Sequence, residues 1–212
     1  MDSKKLFKGI IPALYTCYQD DGGVNYDETV RLAQWLLEKG AGGFYLCGST
    51  GTGLLMTPDE RRGIVEAVAA GVDGQVPLMI HVGAMTTAES VELARHAARI
   101  KGVSAISSLP PQYYPVPFDH EIEHLSTIAA VSDLPFYPYV FGTTVDKYGI
   151  ETLIEGFGRI PNMAGIKAFV ADLFVHQIFL REAPAEWELL HGYDQCLAQG
   201  LMLPGIEGAI GS

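Results

Sequence analysis

Eight short apolar, β-rich runs alternate with helical segments from one end of the chain to the other, and this alternation constrains the fold more than any other feature. The runs fall at 9–16, 42–47, 77–82, 103–109, 134–141, 163–169, 187–191 and 208–212. Between them, seven segments with helical periodicity span 26–39, 58–71, 88–100, 118–131, 148–157, 172–181 and 195–203. The helix starts carry their own chemistry. "NYDE", "TPDE" and "TTAE" each set a capping side chain (Asn25, Thr57, Thr86) three residues before a glutamate, the reciprocal pattern that satisfies the free N–H groups of a first turn. Strict β-α alternation with continuously apolar strands implies a parallel sheet covered by helices. A doubly wound sheet that binds a dinucleotide needs a glycine-rich cradle after its first strand, and the loop there is "CYQDDGGVNY". A count of eight strands therefore predicts an α/β fold of the (β/α)8 TIM-barrel type, in which chemistry sits at the C-terminal ends of the strands. The sequence stops at Ser212 with the eighth strand. The expectation is a single barrel domain over 1–212, truncated at strand 8 and lacking the last helix, a fragment of a longer chain.

Composition narrows the partners. The 212 residues are 48% hydrophobic and 18% charged, with a net charge of −11. Nucleic acid and anionic membranes require a basic face, so neither is expected. The start, "MDSKKLFKGI", has no apolar core of a signal peptide, and no stretch reaches the roughly 18 apolar residues of a membrane span. Cys17, Cys47 and Cys196 are widely spaced and odd in number, which fits reduced thiols in a cytoplasmic protein.

Candidate chemistry gathers at the strand ends. In "MAGIKAFVADL", Lys167 stands alone among apolar neighbours at the end of strand 6. Burial disfavours the ammonium form and leaves a nucleophilic amine able to form a Schiff base. The competing reading is a lysine that reaches solvent or pairs with a carboxylate such as Asp172. "LPFYPYVFGTT" ends strand 5 with Tyr139. Neighbouring strands lie about 4.8 Å apart, so this phenol can reach the lysine and relay protons; equally, it can be a core ring. After strand 2, "CGSTGTG" offers the hydroxyls and backbone N–H groups of Ser49 and Thr50 to a carboxylate, or makes a tight turn. Gly192, Asp194 and Ser212 close strands 7 and 8 at the same mouth; Asp194 can bind a hydroxylated substrate or cap the helix that follows. Tyr113 and Tyr114, in "LPPQYYPVPF" after strand 4, suit either a packed loop or rings placed into a site, including a neighbouring subunit's. His81 and His191 lack ligand spacing and read as satisfied core histidines, so no metal site is expected.

Taken in order, "GSTG", "PPQYY", "LPFYPY", "GIK" and "GAIGS" resemble the dihydrodipicolinate synthase / N-acetylneuraminate lyase family, over essentially the whole chain. The resemblance implies a class I pyruvate-dependent aldolase that uses neither cofactor nor metal. It implies a homotetramer with a C-terminal helical extension absent here, acting on the small molecules pyruvate and a sugar acid. By the same resemblance, Lys167 forms the Schiff base, Tyr139 relays protons, and Ser49 and Thr50 hold the pyruvate carboxylate. "HGYDQ" is similar to the segment with which the lyase branch meets sugar hydroxyls, matching Gly192, Tyr193 and Asp194, with Gln195 in the place of a glutamate. The family's synthases carry an arginine where Thr144 stands. Both points favour the N-acetylneuraminate lyase branch, with another 2-keto-3-deoxy sugar-acid aldolase or a dihydrodipicolinate-synthase-like enzyme as alternatives, and a non-catalytic truncated homologue as a third. Further departures are Thr52 for a glutamate, Val140 for an asparagine, Gly142 for a proline, and Phe169 where the lyases carry a threonine.

Overall fold

The structure is a computed structural model that describes residues 5–212. Eight parallel strands form one sheet: β1 (Gly9–Pro12), β2 (Phe44–Leu46), β3 (Leu78–His81), β4 (Val103–Ser108), β5 (Phe136–Phe141), β6 (Gly165–Phe169), β7 (Glu188–His191) and β8 (Gly208–Gly211). Their order, β1-β8-β7-β6-β5-β4-β3-β2, leaves β1 and β2 at the two ends. A parallel bridge between Ala13 and Tyr45 joins those ends, with Leu14 N–H donating to the Tyr45 carbonyl at 3.0 Å. Gly42 N–H also donates across this seam to the Ile10 carbonyl at 2.7 Å, and the sheet is thereby a barrel.

Side-chain parity divides the apolar residues into two layers. Alternate residues of a barrel strand point inward and outward. Phe7, Ile11, Ala13, Tyr45, Met79, Ala105, Tyr137, Leu190 and Ile210 fill the interior. Residues of the opposite parity, such as Leu46, Ile80, Ile106, Ile166 and Leu189, pack outward against the helices. The interior is therefore packed, and only the ends of the strands are open to a ligand.

The helices follow the sequence signals in the first half of the chain. α1 (Tyr26–Glu38), α2 (Pro58–Val72) and α3 (Thr87–Ala97) begin at Asn25, Thr57 and Thr86, each accepting a hydrogen bond from the N–H of the expected glutamate. Thr57 and Glu60 complete a reciprocal capping box. α4 (Phe118–Ala129) follows β4. After β5 the structure departs from the single helix expected at 148–157. α5 (Gly142–Tyr148) starts directly from the strand, and Gly149, at φ 76°, separates it from α6 (Ile150–Phe157). That left-handed backbone suits glycine and ends the first helix. α7 (Leu173–Glu182) starts at Asp172. The segment after β7 is a 3-10 turn (Asp194–Cys196) and a short α8 (Leu197–Leu201) in place of one continuous helix.

Candidate active site

Lys167 occupies the third position of β6, between Ile166 and Ala168, which face the helices. Lys167 has the opposite parity and enters the barrel. Its direct register partner on β5 is Tyr139, so the phenol and the amine predicted to be neighbours are brought side by side. Lys167 is 5% exposed. Its Nζ lies 4.0 Å from the centre of the Tyr139 ring and 4.1 Å from that of Tyr45. Burial pulls its pKa from the ordinary 10.5 down to about 7, opposed by the negative charge of Asp194. An amine with that pKa is substantially neutral near pH 7, which makes it a nucleophile. The alternative pairing with Asp172 does not occur: that carboxylate caps α7, accepting from Phe174 N–H at 2.9 Å.

Tyr45 is a site residue that motif reading passed over. It is the middle residue of "FYL" on β2 and fully buried. Its hydroxyl shares a 3.2 Å hydrogen bond with Ser107 on β4, and its ring stands edge-on to Tyr139 at 6.3 Å. A Cβ on Gly48 would collide with this ring, so the glycine of "GSTG" lets the loop close over it. The available signal was a lone phenol at the inward parity of strand 2. His81 lies in the same layer, its ring 6.1 Å from Tyr45. Burial, with Arg61 and Lys167 nearby, drops its pKa to about 3, so it is neutral; its Nδ1 faces the Cys47 carbonyl at 3.2 Å. Its buried Nε2 has no partner, which departs from the satisfied core histidine expected. His191 conforms to that expectation, bonded at 3.1 Å to His176 and at 2.8 Å to the Tyr193 carbonyl.

One side of the mouth is polar. Thr50 Oγ1 and Ser212 Oγ are 2.7 Å apart, and Ser212 N–H donates to Asp194 at 3.0 Å. The Asp194 carboxylate does not cap the following turn. It lies against Gly211, where a Cβ would displace it. In the loop after β2, Thr52 and Gly53 N–H groups donate to the carbonyls of Ser49 and Gly48, each at 3.0 Å. Among the described residues, the hydrogen bonds of this loop do not engage the N–H groups of Ser49 and Thr50. Gly192 N–H binds the Ala168 carbonyl at 2.9 Å, tying the start of this turn to β6. Gln195 is exposed in the 3-10 turn.

The other side is aromatic. Tyr139 stacks on Phe141 at 4.5 Å, Phe141 meets Phe169 at 5.8 Å, and Phe169 meets Tyr193 at 5.0 Å. Phe169 shares the inward parity of Lys167 and is 37% exposed at the rim. Tyr113 and Tyr114 form an edge-to-face pair at 4.8 Å and are 72% and 74% exposed, apart from this ring file. Among the described residues, no grouping of histidine, cysteine and carboxylates is suited to holding a metal, and no helix is long and apolar enough to cross a membrane.

A buried amine between two tyrosine rings, a neighbouring phenol and a loop with available N–H groups can together support imine chemistry on a keto acid. Comparison with known proteins agrees. The model of the Dihydrodipicolinate synthetase family matches residues 6–212. An N-acetylneuraminate lyase of Enterobacter sp. (strain 638) is 34% identical over 214 residues, spanning 98% of this chain and 69% of that protein. N-acetylneuraminate lyase 2 of Escherichia coli O6:H1 is 36% identical over 208 residues, 97% of this chain and 67% of that protein. Among solved structures, a catalytic lysine mutant of the Ruminococcus gnavus sialic acid aldolase superposes with a TM-score of 0.92 at 29% identity, covering all of this chain and 69% of that one. The motifs, the barrel and these relatives converge on one assignment: the chain belongs to the dihydrodipicolinate synthetase family, as a class I aldolase of (β/α)8 fold.

Proposed function

We propose that the protein is a Schiff-base lyase that reversibly cleaves N-acetylneuraminate to pyruvate and N-acetylmannosamine. The observation that carries this reading is Lys167 itself, a 5% exposed amine held at a pKa of about 7 beside Tyr139. The names of the relatives point to the substrate.

In this reading the Lys167 amine adds to the C2 ketone and water leaves, giving an imine. The bond between C3 and C4 then breaks. Its electron pair moves into the protonated imine to give an enamine, and C4 becomes an aldehyde. The proton of the C4 hydroxyl leaves through Tyr139 and returns at C3. Tyr139 has its pKa raised to about 12, by burial first and Asp194 second, so it stays a neutral phenol that accepts one proton as it passes on another. Water finally hydrolyses the pyruvate imine and frees Lys167. The N–H groups and hydroxyls of Ser49 and Thr50 hold the keto-acid carboxylate. The charge of Asp194, which favours the cationic form of Lys167, likewise favours the protonated imine that serves as the electron sink. Asp194, Gln195, Ser212 and the Gly192 backbone line the path of the sugar hydroxyls.

In the same reading Tyr113 and Tyr114 serve a neighbouring subunit of a homotetramer, a role that their exposure on one chain supports. A cytoplasmic location suits the three free cysteines. A second reading, cleavage of another 2-keto-3-deoxy sugar acid, is favoured by Phe169 and Gln195, which replace polar groups of the lyase branch. Pyruvate release from N-acetylneuraminate, compared by kcat/KM with other 2-keto-3-deoxy sugar acids, decides between them. No pyruvate from any of them would refute both lyase readings and leave the synthase-like and the non-catalytic alternatives.

A further inference from the structure

His176 and His191 are both 1% exposed and take no part in the chemistry above. His191 ends β7 with the outward parity of Leu189, and there it meets His176 of α7. Three contacts run through the two rings in a row. His176 Nδ1 is 3.1 Å from the Asp172 carbonyl. His176 Nε2 is 3.1 Å from His191 Nδ1. His191 Nε2 is 2.8 Å from the Tyr193 carbonyl. A carbonyl only accepts, so each outer nitrogen must carry a hydrogen, and the inner contact needs a third. Two neutral imidazoles hold only two, which would leave two lone pairs facing each other across the inner contact. The row is complete only when the pair holds one added proton. Of the two carbonyls, that of Tyr193 has the freer backbone, since Tyr193 is half-buried and leads into the exposed Asp194 and Gln195. We infer that His176 and His191 share one proton and act as positioning residues: with it they tie down the Tyr193 carbonyl and hold Asp194 at the mouth, and without it they release the turn. This rests on the aldolase reading above and adds a control on its Asp194 side.

The groups facing the pair are the Asp172 carboxylate from α7 and Cys196 from the 3-10 turn, its Sγ 3.8 Å from His191 Nε2. Ala168 of β6, the register partner of His191, and Gly200 of α8, against its ring, bring no charge. Burial pulls the His176 pKa down; the bond to the Asp172 carbonyl opposes this, His191 adds to it, and the Asp172 carboxylate opposes it again. When the proton leaves, His191 Nδ1–H still donates to His176, and the bared Nε2 accepts from the Cys196 thiol in place of binding the Tyr193 carbonyl.

His176→Gln is the informative variant. Its amide N–H donates to His191 Nδ1 with no added proton, so His191 keeps its hydrogen on Nε2 and the tie to Tyr193 holds at every pH. Nuclear magnetic resonance of the isotope-labelled protein reads the protonation of each imidazole, and reads the Tyr193 carbonyl through the Asp194 amide. In wild type, two histidine rings should titrate in one joint step that releases one proton between about pH 5 and 9. The Tyr193 carbonyl signal should move with the same midpoint, and should stay flat in His176→Gln. Activity is read as kcat/KM on the preferred sugar acid, wild type divided by variant, so that Lys167 and the other shared groups cancel. That ratio should fall about 10-fold as pH rises through the midpoint, the weight of one hydrogen bond. No joint step in wild type, or a Tyr193 carbonyl that ignores it, overturns the shared proton. A flat kcat/KM ratio in an active enzyme overturns the positioning role and leaves the aldolase standing. A wild type that releases no pyruvate refutes the aldolase reading, while the resonance titration still decides the proton.

Discussion

Lys167→Met should make the protein more stable while removing its reactive amine. Lys167 is 5% exposed and its pKa falls from 10.5 to about 7, chiefly through burial. By linkage, a fall of that size corresponds to about 5 kcal/mol of stability lost at pH 7 and below. The rings of Tyr45 and Tyr139, 4.1 and 4.0 Å from Nζ, return part of it, about 1–2 kcal/mol. Methionine has a similar length and no charge to desolvate, so the expected gain at pH 6 is about 2–5 kcal/mol. The sign with pH follows from the depressed value. The unfolded lysine keeps its proton up to about 10.5, whereas the folded one releases it near 7. Wild-type stability therefore climbs relative to the variant between those limits, and the advantage of Lys167→Met fades as pH approaches about 10.5. Urea unfolding of both proteins at pH 6 and near pH 10 measures this; the midpoint difference at pH 6 should be about 1–2 M. Subtracting one protein from the other cancels the titration of Tyr139 and the other shared groups. Equal midpoints at pH 6, or a difference that does not shrink with pH, would show that Lys167 is not a buried, desolvated amine.

Three further outcomes follow from the site. Tyr139→Phe should lower kcat by about 10²–10⁴-fold while pyruvate is still trapped on Lys167, because the variant loses a proton relay and keeps the nucleophile; single-turnover and trapping assays read the two separately. Asp194 raises the pKa of Lys167, so Asp194→Asn should move the midpoint of pH-dependent imine formation below about 7, measured as trapping rate against pH. Gly211→Ala puts a Cβ into the Asp194 carboxylate and should cut kcat/KM by about 10–100-fold with folding intact by circular dichroism.

The barrel was legible because β-α alternation and capping pairs are local signals, and the first three helices start where Asn25, Thr57 and Thr86 predict. The Lys167–Tyr139 pair was legible too, since one charge in an apolar run and one phenol a β-α unit earlier fall into direct register. Tyr45 was not, because an aromatic in the middle of a short strand reads as core until register and parity set it against the amine. The break at Gly149 was missed because the residues on both sides of it are helical, and only the backbone angle separates them. Asp194 was read with two roles open; the contact that settles its partner comes from Ser212, on the far side of α8 in sequence. Phe169 and Tyr193 each stood out in sequence, but their ring contact, and that of Phe141 with Phe169, needed neighbouring strands to be brought together.

The central claim is that Lys167 forms a covalent imine with a keto acid. Incubating the protein with pyruvate and borohydride, then mapping peptides by mass, tests it at the atom concerned. One reduced pyruvate adduct is expected, on the peptide containing Lys167, lost in Lys167→Met and accumulating faster as pH rises through about 7. An unmodified Lys167 peptide, or an adduct on another lysine, contradicts it.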